Sequence, residues 1–315
     1  MLKAFKIGHY TDLENGTGCT VVLCEEGATA GVSVMGSAPA TRETDLLQTE
    51  KTVDKINAVI LSGGSAFGLE ASCGVMQYLR EKGIGYNAGG YRVPIVCGAS
   101  LYDLEYKNFA YPDKEAGYKA CLDAKVKNFQ KGEIGAAAGA TISKVLGMET
   151  AKKTSLGIQT YRFNQLEIAV IVAVNALGDI VKDGKIIAGM QDPEGNFISA
   201  KKIMTAGGIE PTNSNTTIGV ILTNATLSKK EANILAALSH DGFAKALSPS
   251  HTAFDGDAMF VMASNEVKVD INILSSIIPD LTEQAIHSSV MNVDPINARV
   301  SKAMFAVLQK MFKKK

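Results

Sequence analysis

Asn213-Ser214-Asn215-Thr216-Thr217-Ile218-Gly219-Val220-Ile221-Leu222-Thr223-Asn224 is the stretch on which the fold turns. A polar, turn-prone run stops at a hydroxyl residue, and β-branched and apolar residues follow, as in a buried strand. A threonine is therefore left at a strand's first position. A hydroxyl there can attack the carbonyl of the residue before it, convert the peptide to an ester and let water cut the chain between Asn215 and Thr216. The freed α-amine, with a reference pKa of about 7.7 to 8.0, would then serve as the base for its own hydroxyl. Asn215 tolerates left-handed backbone better than most residues, which suits a strained junction. Taken alone, Asn-Thr-Thr is an ordinary loop-to-strand junction, and other stretches have to carry the assignment.

The bulk composition narrows the field. A chain of 315 residues with 46% hydrophobic and 20% charged residues can bury a sizeable core. Lys plus Arg equals Asp plus Glu at 32 each, so no net field draws in nucleic acid or anionic membrane, and neither partner is expected. The N-terminus lacks a signal peptide's apolar core, and no run of about 18 apolar residues reads as a membrane span. Cys19, Cys24, Cys73, Cys97 and Cys121 form no C-x-x-C pair and read as reduced thiols of a cytoplasmic protein. The histidines are few and scattered, so neither a metal nor any other cofactor is expected.

Outward from Thr216, the runs Ile168 to Val174, Ile218 to Leu222 and Ala258 to Ala263 are apolar at nearly every position, the mark of strands covered on both faces. Helical patterns near 67–82, 113–129, 228–247 and 280–312 can cover them. Cys19 to Cys24 and Thr29 to Met35 read as a hairpin about Glu25-Glu26-Gly27. The strands are too many for one sheet, so a single α/β domain built as a four-layer αββα sandwich is expected. A doubly wound parallel sheet is the competitor, but strict strand-helix alternation is missing. Ser62-Gly-Gly-Ser-Ala-Phe-Gly68 follows a strand and opens a helix. It departs from a nucleophile elbow at Phe67 and from a dinucleotide loop at Ser65, and reads as a packing turn. Arg42, Glu43 and Asp45 form a charged loop, and residues 183–215 and Lys310 to Lys315 read as mobile.

Several stretches taken in order carry a family resemblance. Gly18-Cys-Thr-Val-Val-Leu, Ser37-Ala-Pro-Ala-Thr-Arg-Glu-Thr-Asp-Leu-Leu, Ala58-Val-Ile-Leu-Ser-Gly-Gly-Ser-Ala-Phe-Gly-Leu, Val93-Pro-Ile-Val with Leu101-Tyr-Asp, Gly135-Ala-Ala-Ala-Gly-Ala-Thr, Val174-Asn-Ala-Leu-Gly and Asn215-Thr-Thr-Ile-Gly-Val resemble the self-processing aminopeptidases of the DmpA and β-peptidyl aminopeptidase family. The resemblance implies an N-terminal-nucleophile-like fold of the DmpA and ornithine acetyltransferase kind. It also implies autocleavage of one hydrolase domain into 1–215 and 216–315, a tetramer of the paired subunits, and a small peptide or amino acid amide as substrate.

It assigns the nucleophile and amine base to Thr216, the oxyanion donor to Asn175 and a pocket position to Tyr102. Asp255 and Asp257 stand where the family carries a serine and a glutamate, and Asp257, with Asp255 beside it, is expected to meet the substrate's amine. His251 reads as incidental. Two alternatives stay open: an amidase or esterase acting on a non-peptide or D-amino acid substrate, and an unprocessed non-enzymatic homologue.

Overall fold

The computed structural model describes residues 1–207, 215–291 and 300–312. Its centre is a ten-stranded ladder. In chain order the strands are β1 (Lys6–Asp12), β2 (Thr17–Val34), β3 (Ala40–Arg42), β4 (Lys55–Ser62), β5 (Val96–Ser100), β6 (Lys125–Val126), β7 (Leu156–Phe163), β8 (Leu166–Asn175), β9 (Thr216–Ala225) and β10 (Ala258–Val267). The ladder runs β7-β8-β9-β10-β2-β4-β5-β3, with β1 and β6 joined on beside β2. The helices are α1 (Ala71–Glu81), α2 (Lys114–Asp123), α3 (Ala200–Ala206), α4 (Lys229–Ala246), α5 (Ile271–Ser288) and α6 (Lys302–Phe312).

The expected hairpin at Glu25-Glu26-Gly27 is instead the middle of β2. Thr17 to Leu23 pair with β1 and β4, and Thr29 to Val34 pair with β10. The register with β4 slips between Leu23 and Ala28, and Gly27 takes φ +81°, a conformation that glycine reaches without strain. One bulged strand thus belongs to both halves of the ladder, and the halves fold over to face each other.

Side-chain alternation along the strands confirms the layers. Ala169, Ile171 and Ala173 of β8 join Ile218, Val220 and Leu222 of β9 in a core shared with Val59, Leu61, Cys97 and Ala99 of the other half. The intervening Ile168, Val170, Val172 and Val174 turn the opposite way, onto Leu235 and Phe243 of α4 and Leu274, Ile278 and Ile286 of α5. On the far side, Val21, Leu23, Ala58 and Ile60 pack on Val75 and Leu79 of α1 and Ala120 and Cys121 of α2. The order is helices, sheet, sheet, helices, as expected. Each fully buried aliphatic side chain contributes about 1.5 to 3 kcal/mol, so the doubly covered strands are the fixed frame of the molecule.

The helix expected over 113–129 ends at Asp123, and the pattern over 280–312 resolves into α5, which starts earlier, and α6. The stretch 183–215, read as loop, contains the strand Lys185–Ala188, which pairs as a hairpin with Asp179–Lys182 just before it, and the helix α3. Residues 208–214 of that stretch and 313–315 of the charged tail lie outside the described residues. No helix among the described residues is long and apolar enough to cross a membrane.

Candidate active site

Three strand ends converge on Thr216. β8 and β9 are antiparallel with Asn175 opposite Thr216, so the last residue of one strand faces the first of the next. β10 runs parallel to β9 with Ala258 beside Ile218, which brings the turn Asp255-Gly256-Asp257 alongside the junction. Asn215 bridges Asp255: its N–H donates to Phe254 O at 2.9 Å, and its carbonyl accepts from the Gly256 N–H at 2.8 Å. The Thr216 hydroxyl donates to that same Asn215 carbonyl. Thr216 is 3% exposed, so this peptide group is held inside the protein. At Gly256 a Cβ would sit 2.9 Å from Thr216 Oγ1 and 2.6 Å from Ala38 O, so the turn comes this close only because the residue is glycine.

The Asn175 amide is fixed at both ends. Its Oδ1 accepts from Lys144 Nζ at 2.7 Å and from the Thr141 N–H at 3.0 Å, and its Nδ2 donates to Tyr102 O at 2.7 Å. Two donors on one side and a carbonyl on the other leave the amide one orientation. Asn175 is fully buried. Tyr102 meets this network through its carbonyl, while its hydroxyl donates outward to Glu105 Oε1 at 3.0 Å. The Tyr102 carbonyl is held in place by its neighbour: Asp103 accepts from the Gly64 N–H at 2.6 Å and the Thr17 hydroxyl at 2.9 Å. The glycine pair of Ser62-Gly-Gly-Ser65 makes room for it, since a Cβ on Gly63 would stand 2.2 Å from Asp103 Oδ2. The packing-turn reading of that motif holds.

Lys144 is the residue that the sequence analysis passed over. It is buried in the small-residue stretch after Gly132, and besides Asn175 Oδ1 it donates to Asn175 O at 3.3 Å. Burial drives its ammonium down to about 7, against the opposing pull of Asp255, Asp103 and Glu105. The available signal was a lone lysine inside an otherwise small and apolar run, since lysine is rarely buried without partners. Beside it, Tyr102, Glu105, Tyr106, Thr141 and Met148 line a gap too small to hold a water molecule.

The two aspartates differ in their roles. Asp257 is 1% exposed; its Oδ1 accepts from the Thr217 N–H at 2.6 Å and its Oδ2 faces His251 Nδ1 at 2.7 Å. Its main-chain carbonyl accepts from Met35 and Gly36 at the end of β2. Asp255 Oδ2 accepts from the Thr252 hydroxyl at 2.6 Å and the Thr252 N–H at 2.8 Å. Burial first, and the charge of Asp257 second, push the Asp255 carboxyl up to about 6. His251, read as incidental, is thus a direct partner of the site. No group of three or more His, Cys, Asp or Glu among the described residues could hold a metal ion.

Comparison with known proteins places the chain in a family. The model of peptidase family S58 matches residues 2–307. The chain is 36% identical over 290 residues to an uncharacterised aminopeptidase of Mycobacterium leprae, covering 85% of this chain and 78% of that one. It is 30% identical over 267 residues to a 6-aminohexanoate-oligomer endohydrolase of an Agromyces species, covering 82% and 72%. In fold it matches the L-aminopeptidase D-Ala-esterase/amidase of Ochrobactrum anthropi, described as a variant of the Ntn hydrolase fold, with a TM-score of 0.68 at 15% identity over 98% of this chain and 92% of that one. A family match over nearly the whole chain and close relatives across most of it make the chain a member of peptidase family S58.

Proposed function

We propose that this hydrolase makes its own nucleophile by cutting between Asn215 and Thr216, and then releases N-terminal amino acids from short peptides or amino acid amides. The observation that carries the reading is the Asn215 carbonyl oxygen, which accepts from both the Thr216 hydroxyl and the Gly256 N–H. In the first step Thr216 Oγ bonds to the Asn215 carbonyl carbon, the C–N bond breaks, and the hydroxyl proton passes to the departing nitrogen. The Gly256 N–H stabilises the charge that develops on oxygen. Water then hydrolyses the ester, leaving an Asn215 carboxylate and a free threonine amine.

In the mature site the Thr216 amine takes the hydroxyl proton as Oγ attacks the substrate carbonyl. Asn175, its Oδ1 held by Lys144 and Thr141, supplies the oxyanion donor with the second N–H of Nδ2. Both oxygens of Asp257 are engaged by Thr217 and His251, so Asp255 is the carboxylate nearer to hand for an amine, with Asp257 adding charge behind it. Tyr102 lines the pocket. A second reading is favoured by the Agromyces relative: the same machinery would serve linear ω-amino acid amides, whose free amine lies farther from the scissile bond.

Denaturing electrophoresis with mass measurement tests the first step. Two fragments, 1–215 and 216–315, are expected from the wild type, and one intact chain from Thr216→Ala. A panel of amino acid amides and 6-aminohexanoate oligomers separates the two substrate readings. Turnover by a chain that stays whole would overturn the proposal.

A further inference from the structure

The environment of His251 is more closely built than a loop residue requires. Its ring stacks on Phe243 at 5.4 Å and 23°, and meets the His240 ring edge-on at 4.8 Å and 71°. Its backbone holds φ +53°, and its main-chain N–H also points at Asp257 Oδ2, at 3.3 Å. His240 Nε2 lies 3.2 Å from Ser33 O, an acceptor, so its proton sits on that nitrogen. Burial presses the His240 pKa down to about 4, with His251 and Asp257 pulling in opposite directions, so His240 forms a neutral wall. The charged groups bearing on the His251 ring are therefore Asp257 in contact, Asp255 beside Asp257, and Asp241 behind His240. Among the described residues His251 Nε2 has no hydrogen-bond partner, which fits a lone pair there and a proton on Nδ1 directed at Asp257.

We propose that His251 is a positioning residue of self-processing: its Nδ1–H holds Asp257 in the rotamer whose other oxygen receives the Thr217 N–H, and so sets the peptide plane that aims the Thr216 hydroxyl at Asn215. This inference rests on Thr216 being the self-cleaving residue. The chain of contacts is short. Thr217 N is one bond from the Thr216 carbonyl carbon, and its 2.6 Å contact with Asp257 Oδ1 is a charge-assisted one. Without the imidazole, Asp257 keeps only the longer His251 main-chain contact on Oδ2 and is free to rotate about χ. The Thr217 amide then loses its fixed acceptor, and the hydroxyl samples directions away from the carbonyl.

Three variants separate this role from bulk packing. In His251→Asn the side-chain nitrogen stands where Nδ1 stands, and asparagine accepts φ +53° readily. Processing is expected within about threefold of wild type. His251→Leu keeps bulk without a donor, and His251→Gly removes the ring at no backbone cost. Both are expected to process about tenfold to a hundredfold more slowly, and added imidazole should restore His251→Gly.

A second readout does not depend on cleavage. In Thr216→Ala chains labelled with 15N-threonine, the Thr217 amide proton should move upfield in the Leu and Gly variants and stay in place in Asn. Equal processing rates in all variants, or an unmoved Thr217 amide, would overturn the role of His251. If the wild type is never cut, the reading of Thr216 fails instead, while the amide shift still reports whether His251 holds Asp257. Should His251→Leu fail to fold, the Gly variant and its imidazole rescue decide.

Discussion

Replacing Lys144 by methionine is expected to make the protein more stable and less active on amides. The side chain keeps its length and loses its charge. Lys144 is held at about 7 where a free lysine titrates at 10.5, with burial as the leading cause. Between those values the unfolded chain binds a proton that the folded chain releases, so stability rises with pH across that window. Below about 7 both states are protonated, and the folded state carries the full cost of a buried ammonium.

Methionine removes that cost but also removes the donors to Asn175 Oδ1 at 2.7 Å and Asn175 O at 3.3 Å. Charge-assisted hydrogen bonds of this kind contribute about 1.5 to 3 kcal/mol, leaving a net gain of about 1 to 3 kcal/mol at pH 6. In a chain of this size that is a rise of about 2 to 6 °C in melting temperature. The gain should shrink as pH climbs from 7 towards 10. Function moves the other way. With Oδ1 left to the Thr141 N–H alone the amide can turn over, and losing one oriented oxyanion donor costs about a hundredfold or more. Thermal melts at pH 6 and 9, together with a time course of chain cleavage and amide turnover, check both limbs. A variant that turns over substrate at the wild-type rate, or that melts lower at pH 6, would refute the assignment of Lys144.

Asn175→Ala leaves the Lys144 ammonium with only the main-chain carbonyl of residue 175; a loss of about 3 to 5 kcal/mol is expected in urea unfolding, with amide turnover slowed about a hundredfold or more. Gly256→Ala places a methyl 2.9 Å from Thr216 Oγ1 and 2.6 Å from Ala38 O, and is expected to cost about 1 to 3 kcal/mol and stall processing in the same electrophoretic assay. Thr216→Ser keeps the hydroxyl, so cleavage at the same bond should persist by mass, whereas Thr216→Ala should leave one chain of 33.3 kDa. Asp103→Asn keeps one of the two acceptors for the Gly64 N–H and the Thr17 hydroxyl and puts an amide donor in place of the other. A lower melting point and slower turnover are expected, with cleavage still at the same bond.

What the residues alone determined follows from local physics. Strands apolar at every position must be covered twice, and that requirement points to a layered fold; a hydroxyl where a polar run meets such a strand singled out Thr216 as a candidate, while Asn175 was named only through the family resemblance. What only the tertiary structure decided are the choices that a local pattern leaves equal. Glu25-Glu26-Gly27 suits a turn or a bulge, and the bulge prevails because β10 waits to pair with the strand's second half. Lys144 is an exposed charge or a buried one depending on whether an amide oxygen from another strand reaches it. His251 is incidental or essential depending on a 2.7 Å contact with a carboxylate. Pairing across strands sets the first two outcomes and the folding of a single loop sets the third, because the free energy of a buried charge depends on its partners, which the fold chooses.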